Sequence, residues 1–162
     1  MTEPVTVYLG IGSNLGDRAA NLDRAIELLS QRMKVDRVSS VYDTDPLDPS
    51  QPRFLNIVCQ VTTRLTPEGL LTLAKGVESK LGRIGKTGEP RTIDIDILLY
   101  GDLVRDTPEL VIPHPRMLDR AFVLVPLSEI APDVMHPVAA KTIRELKKAV
   151  SETQGVFKLE DE

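Results

Sequence analysis

Asp94 and Asp96 stand in the run TIDIDILLY, where they alternate with Ile93, Ile95 and Ile97. A strand carries alternate residues on one face, so both carboxylates project together from Cα atoms about 6.5 to 7 Å apart. Two acids side by side on a buried face each need a partner or a cation to offset their desolvation, whereas on a solvent-facing edge they need none. With one cysteine and two histidines in the chain, oxygen ligands favour Mg²⁺ over Zn²⁺, and Mg²⁺ in turn suggests phosphates. Arg83, Lys86 and Arg91 precede the acidic run in a glycine-bearing segment, and Arg116 and Arg120 follow it. Clustered cations beside a metal site suit polyphosphate binding and transfer, although each alone also reads as solvated surface charge.

Other residues have two readings. Phe54 and Phe122 are two of three phenylalanines; they suit core packing, or, with Asn56 on the face of Phe54, recognition of a flat heterocycle. His114, between Pro113 and Pro115, either contacts a phosphate or lies on the surface, and Glu78 either positions an arginine or faces water. The run GRIGKTG resembles the end of a P-loop but has Lys80 where glycine is required, and it stands between a helix and a strand in the wrong order. Gly10, Gly12 and Gly16 miss the dinucleotide fingerprint by one residue and fit close backbone approach to a ligand or a plain turn equally well.

The elements that must carry these residues follow from periodicity. Thr6 to Ile11 reads as a strand ending in the GSNLGD turn, and Asp17 opens a helix with Leu22, Ala25, Ile26 and Leu29 inward, to about Gln31. Val35 to Tyr42 is strand-like but repeats valine every third residue, which requires a bulge or twist. Asp43 to Arg53 carries Pro46, Pro49 and Pro52 and is expected as a stiff loop. Phe54 to Thr63 alternates as a long strand, and Thr66 and Pro67 cap a second helix that stops at Gly82. After the acidic strand, Gly101 and Asp102 suggest a hairpin turn. A helical segment is then expected to break or kink at Pro126, and Thr142 and Glu145 form a capping box for a last helix. This order is that of an α+β, ferredoxin-like split βαβ sheet with an added hairpin and C-terminal helices, read as one domain over residues 1–162.

Composition sets the outer limits. With 162 residues, 41% hydrophobic and 27% charged, the chain is an ordinary globule about one domain in size. A net charge of -4 speaks against nucleic acid as a partner, and the third strand lacks an aromatic RNA-binding pattern. A small-ligand regulatory module would share the fold without needing two acids opposite cations. No signal-like start or membrane-length apolar run is present, and Cys59 has no partner cysteine, so a cytoplasmic monomer is expected.

Taken in order, YLGIGSNLGDR, FLNIVCQVTT, ESKLGRIGK, PRTIDIDILLYGD and IPHPRMLDRAFVLVPLSEIAPD resemble the 6-hydroxymethyl-7,8-dihydropterin pyrophosphokinase family over residues 8 to 133. The resemblance implies transfer of pyrophosphate from ATP to the hydroxymethyl group of a reduced pterin in folate biosynthesis, with release of AMP. It implies that Asp94 and Asp96 hold two Mg²⁺ ions, that Arg83 and Arg91 are catalytic cations, and that Asp96 is a candidate acceptor of the hydroxyl proton. Glu78, Lys86, His114 and Arg120 join the two arginines around ATP. Phe54 and Phe122 sandwich the pterin, while Asn56, Asp94, Thr44, Pro46 and Leu47 meet its edge. Two departures stand out. The family often has Trp-Gly-Pro-Arg where this chain has Gly88, Glu89, Pro90 and Arg91, and Glu109 replaces an arginine of some relatives. A lid over residues 83 to 91, closing through phosphate contacts, is the expectation for the first.

Overall fold

The computed structural model describes residues 3–46, 49–82, 92–150 and 155–159. At the centre of its main sheet, β1 (Val5–Ser13) runs antiparallel to β4 (Phe54–Thr63) on one side and to β5 (Asp94–Tyr100) on the other. Beyond β4 lie β2 (Lys34–Val38) and β3 (Tyr42–Thr44). A short strand that begins at Val156, numbered β8 (Val156–Lys158), pairs with β3 and ends the sheet on that side. Two further strands, β6 (Arg105–Asp106) and β7 (Val111–Ile112), form a separate hairpin.

Alternation along β1 explains the layering. Val7, Leu9 and Ile11 point to a core completed by Leu22, Ala25 and Leu29 of α1 (Arg18–Ser30) and by Leu70, Ala74 and Val77 of α2 (Pro67–Lys80). Tyr8 points the other way, with Val58 and Leu98, toward Val123, Leu124 and Leu127 of α3 (Ala121–Ile130) and Ile143 and Leu146 of α4 (Ile143–Ala149). Each such large side chain taken from water contributes about 1.5 to 3 kcal/mol, so helices on both faces fix the sheet. Capping sets where they start: Asp17 accepts the Ala20 N–H, Thr66 accepts the Gly69 N–H, and Thr142 and Glu145 complete a capping box. Gly82, at φ +92°, ends α2 in the left-handed conformation that a glycine adopts without strain.

The expected α+β order is observed, with three corrections. First, Val35 to Tyr42 is two strands: the Ser39 N–H still donates to Val58 O, but its hydroxyl, in place of a backbone carbonyl, accepts the Val58 N–H and interrupts the ladder; the bulge lies between Val35 and Arg37. The loop expected from Asp43 begins later, since Asp43 and Thr44 belong to β3. Second, Gly101 and Asp102 form a turn that joins no paired strands, and the hairpin comes at β6 and β7 instead. Third, Pro126 does not end its helix: α3 continues to Ile130, held by the burial of Val123, Leu124, Leu127 and Ile130. A short 3₁₀ turn at Met117–Asp119 precedes it.

Candidate functional site

β5 ends the sheet opposite to β8, and its burial alternates so that Ile93, Ile95 and Ile97 enter the core while Asp94 and Asp96 stay half-buried on the other face. Between the two aspartates, the Ile95 N–H donates to Glu78 Oε2 at 2.7 Å. Glu78 is therefore neither on the surface nor facing water; it is 6% exposed and fixes the acidic strand to α2. An open cavity of about 510 Å³ lies here, lined by Glu78, Asp94, Asp96, His114, Arg116 and Arg120 among others. The expected gathering of acids and cations is thus observed for these residues.

His114 is positioned by its backbone N–H, which donates to Leu98 O at 3.0 Å, after a cis bond between Ile112 and Pro113. Its Nδ1 accepts the Arg116 N–H at 3.2 Å, so the ring proton sits on Nε2, which lies 3.9 Å from Asp96 Oδ1. Burial, aided by the nearby Arg120, pushes the His114 pKa down to about 4. At neutral pH the contact with Asp96 is therefore not an ion pair, and Nε2–H is a neutral donor facing the cavity.

Register carries the same face across the sheet. Gly12 of β1 stands between Asp94 of β5 and Asn56 of β4, and Gly10 stands between Asp96 and Val58. Directly opposed residues share a face, so a floor without side chains separates the acids from the amide. A Cβ at Gly12 would overlap Asn56 Oδ1 and come within 3.3 Å of the Phe54 ring. Gly10 and Gly12 are thus strand residues and not a turn; of the three glycines Gly16 alone turns the chain, at φ +74°. Asn56 is buried, and its Nδ2 donates to Thr44 Oγ1 at 2.6 Å, which aims its carbonyl oxygen over Gly12.

Phe54 and Phe122 are both only partly buried, unlike the aliphatic core. Phe122 is the second residue of α3, which packs on β4, and the Arg120 guanidinium lies 5.4 Å from its ring centre. Two partners of this region were not anticipated from sequence: Tyr42 donates to Glu129 Oε1 at 2.7 Å, and the Ser40 N–H and hydroxyl donate to the same carboxylate. Desolvation opposes the shift, but these hydrogen bonds outweigh it and hold the Glu129 carboxyl below its usual pKa. Pro46 lies just beyond Thr44, whereas Leu47, Arg83, Lys86 and Arg91, with the expected lid over 83–91, lie outside the described residues.

Among the described residues no three His, Cys, Asp or Glu side chains converge as a metal cage. Asp94 and Asp96 would supply two ligands and leave the other positions to phosphate oxygens and water, which is how Mg²⁺ is ordinarily held. The pair therefore fits such an ion.

Carboxylates facing cations across an open cavity suit enzymes that move phosphate groups, and known proteins narrow that class. A family profile described as 7,8-dihydro-6-hydroxymethylpterin-pyrophosphokinase (HPPK) matches residues 8–132. Among curated proteins, 2-amino-4-hydroxy-6-hydroxymethyldihydropteridine pyrophosphokinase of Aquifex aeolicus is 44% identical over 144 residues, covering 88% of this chain and 90% of its own. The Bacillus subtilis protein of the same name is 41% identical over 154 residues, covering 92% of each. Among solved structures, a triple mutant of Plasmodium falciparum HPPK-DHPS superimposes with a TM-score of 0.76 at 18% identity, covering 91% of this chain and 43% of that one. This likeness concerns the fold, and this chain spans less than half of the two-part Plasmodium protein. The chain belongs to the 7,8-dihydro-6-hydroxymethylpterin-pyrophosphokinase family.

Proposed function

We propose that the cavity beside β5 and the glycine floor of β1 are two ends of one active site, the first for a metal-bound triphosphate and the second for a flat pterin. As a member of its family the protein transfers pyrophosphate from ATP to the hydroxymethyl group of 6-hydroxymethyl-7,8-dihydropterin, a step of folate biosynthesis. The observation that carries the site assignment is the row Asp94, Gly12, Asn56 across three strands, which puts acid and amide on one face with open backbone between them.

In this reading Asp94 and Asp96 hold two Mg²⁺ ions, which when bound neutralise phosphate charge and orient the reacting groups. His114 donates its Nε2–H to a phosphate oxygen, and Arg120 adds positive charge while its guanidinium stacks on Phe122. Arg83, Lys86 and Arg91 complete the phosphate contacts, and Glu78 holds β5 in place beneath them. Phe54 and Phe122 stack on the pterin, whose edge meets Asn56, Thr44, Pro46, Leu47 and Asp94. The substrate hydroxyl oxygen attacks the β-phosphorus in line; its bond to phosphorus forms as the bond from that phosphorus to the α-bridging oxygen breaks, and AMP leaves. Asp96 is the candidate acceptor for the hydroxyl proton. Positioning and charge stabilisation carry most of the acceleration in such a transfer.

We also infer a single domain working in the cytoplasm. No helix among the described residues is long and apolar enough to cross a membrane. The direct test is product analysis. With ATP, Mg²⁺ and the hydroxymethyl-dihydropterin the protein should release AMP, and without the pterin it should not. Formation of ADP instead would mean transfer of a single phosphoryl group and would overturn the reading.

A further inference from the structure

The side of the sheet farthest from the acids carries a charge cluster that the reaction does not use. Arg53 Nε donates to Asp43 Oδ1 at 2.7 Å, its Nη2 donates to the Asp43 carbonyl at 3.3 Å, and its Nη1 pairs with the Asp45 carboxylate. Asp43 and Asp45 flank Thr44, and Arg53 immediately precedes Phe54. One fork thus spans the ends of two paired strands, beside two residues assigned to the pterin.

β8 closes over the same point. In register Val156 faces Thr44, Phe157 faces Asp43 and Lys158 faces Tyr42. Asp45 and Gly155 bond reciprocally, the Asp45 N–H donating to Gly155 O at 2.8 Å and the Gly155 N–H donating to Asp45 Oδ2 at 3.0 Å. The Leu159 N–H donates to Val41 O at 2.8 Å, and the Arg53 guanidinium lies 5.6 Å from the centre of the Phe157 ring. Thr44 is buried inside this arrangement and accepts the hydrogen bond that orients Asn56.

We propose that β8, Asp45 and Arg53 form a clamp that positions Thr44, and through it the Asn56 amide, for the pterin, so that the C-terminal strand sets affinity for that substrate. The inference rests on the proposed pterin end of the site. Arg53, Asp45 and Gly155 are positioning residues: they touch neither substrate, and they act through β3. An amide that must present one oxygen in one direction loses binding energy when its own partner drifts, because a buried polar group of the ligand is then left unpaired. The triphosphate end, three strands away on β5, has its own anchors in Glu78 and Leu98 and does not depend on the clamp.

Two variants disturb the clamp by different routes. A Cβ at position 155 would overlap the Asp45 carboxylate, so Gly155→Ala should push that side chain aside, while Arg53→Met removes the charged fork and keeps the stem. In steady-state assays on the full chain, both should raise KM for the pterin by about five- to tenfold, with kcat and KM for ATP within about twofold of wild type. Arg53→Lys should recover part of the loss, as a point charge replacing a fork. Raised salt should increase the pterin KM of wild type more than that of Arg53→Met, because it screens an exposed ion pair. Unchanged pterin KM in both Gly155→Ala and Arg53→Met would overturn the clamp, as would equal rises in KM for both substrates. Phe122→Ala run in parallel separates the two ideas. If it weakens the pterin while the clamp variants do not, only the clamp fails; if it has no effect while they do, the stacking assignment fails and the clamp stands.

Discussion

The two ends of the site solve opposite problems. At the pterin end the polar groups answer one another: Asn56 bonds to Thr44, and Tyr42 and Ser40 bond to Glu129. At the phosphate end Asp94 and Asp96 stand on one strand face above an open cavity, and the neutral His114 directs a proton toward it. A flat, weakly charged ligand is best met by a surface whose donors and acceptors are already fixed, because little ordering cost then remains on binding. A polyanion with its metal is met instead by acids and cations that line one open cavity, so that both the metal and the phosphates find opposite charge there.

Removing the acids should therefore have the largest effect. Asp96→Ala or Asp94→Ala is expected to lower kcat by three orders of magnitude or more, roughly 4 kcal/mol or above, while the melting temperature changes by only a few degrees. Turnover and a thermal melt of the same preparation check both halves. A melting temperature that fell much further than that with activity would make the acids structural. Next in size is Glu78→Ala, which strands the buried Ile95 N–H and is expected to cost about 1 to 3 kcal/mol in denaturant titration. Glu78→Gln keeps an acceptor oxygen and should lose less; equal losses would mean that the charge rather than the hydrogen bond matters.

The smallest effect belongs to the pterin end. Tyr42→Phe removes one donor from Glu129, whose carboxylate is on the exposed side of α3, so the loss near neutral pH should stay below about 1 kcal/mol. Its pH dependence is more telling. Because Glu129 has a depressed pKa in the folded protein, its contribution is complete above the ordinary carboxylate pKa and is lost as pH falls through the folded value. Denaturant midpoints measured from pH 6 down to pH 3 should therefore converge for Tyr42→Phe and wild type. A gap that widened toward low pH would contradict the assignment.

Legibility in the sequence follows the same division. The acidic strand was readable because alternation with isoleucine is a local pattern, and so were the helices whose caps and stripes lie within a few residues of each other. What escaped depends on distant partners. β8 is three residues long, too short to announce itself, and it is a strand because β3 offers an open edge and Arg53 and Asp45 meet it. The break between β2 and β3 depends on the Ser39 hydroxyl reaching Val58, and the passage of α3 through Pro126 depends on burial that outweighs one missing N–H. Gly10 and Gly12 were ambiguous for the same reason: only the registers with β4 and β5 show that they form a floor.

The central claim is that Asp96 serves the metal-bound nucleotide and the aromatic and amide groups serve the pterin, with Asp94 between them, within one site. Calorimetry on wild type, Asp96→Ala and Phe122→Ala, each titrated separately with a non-hydrolysable ATP analogue plus Mg²⁺ and with the pterin, tests it most directly. Asp96→Ala should weaken the nucleotide by at least about tenfold and leave the pterin nearly unchanged, and Phe122→Ala should do the reverse. If each substitution weakened both ligands alike, the two ends would not be separate and the division of the site would be wrong.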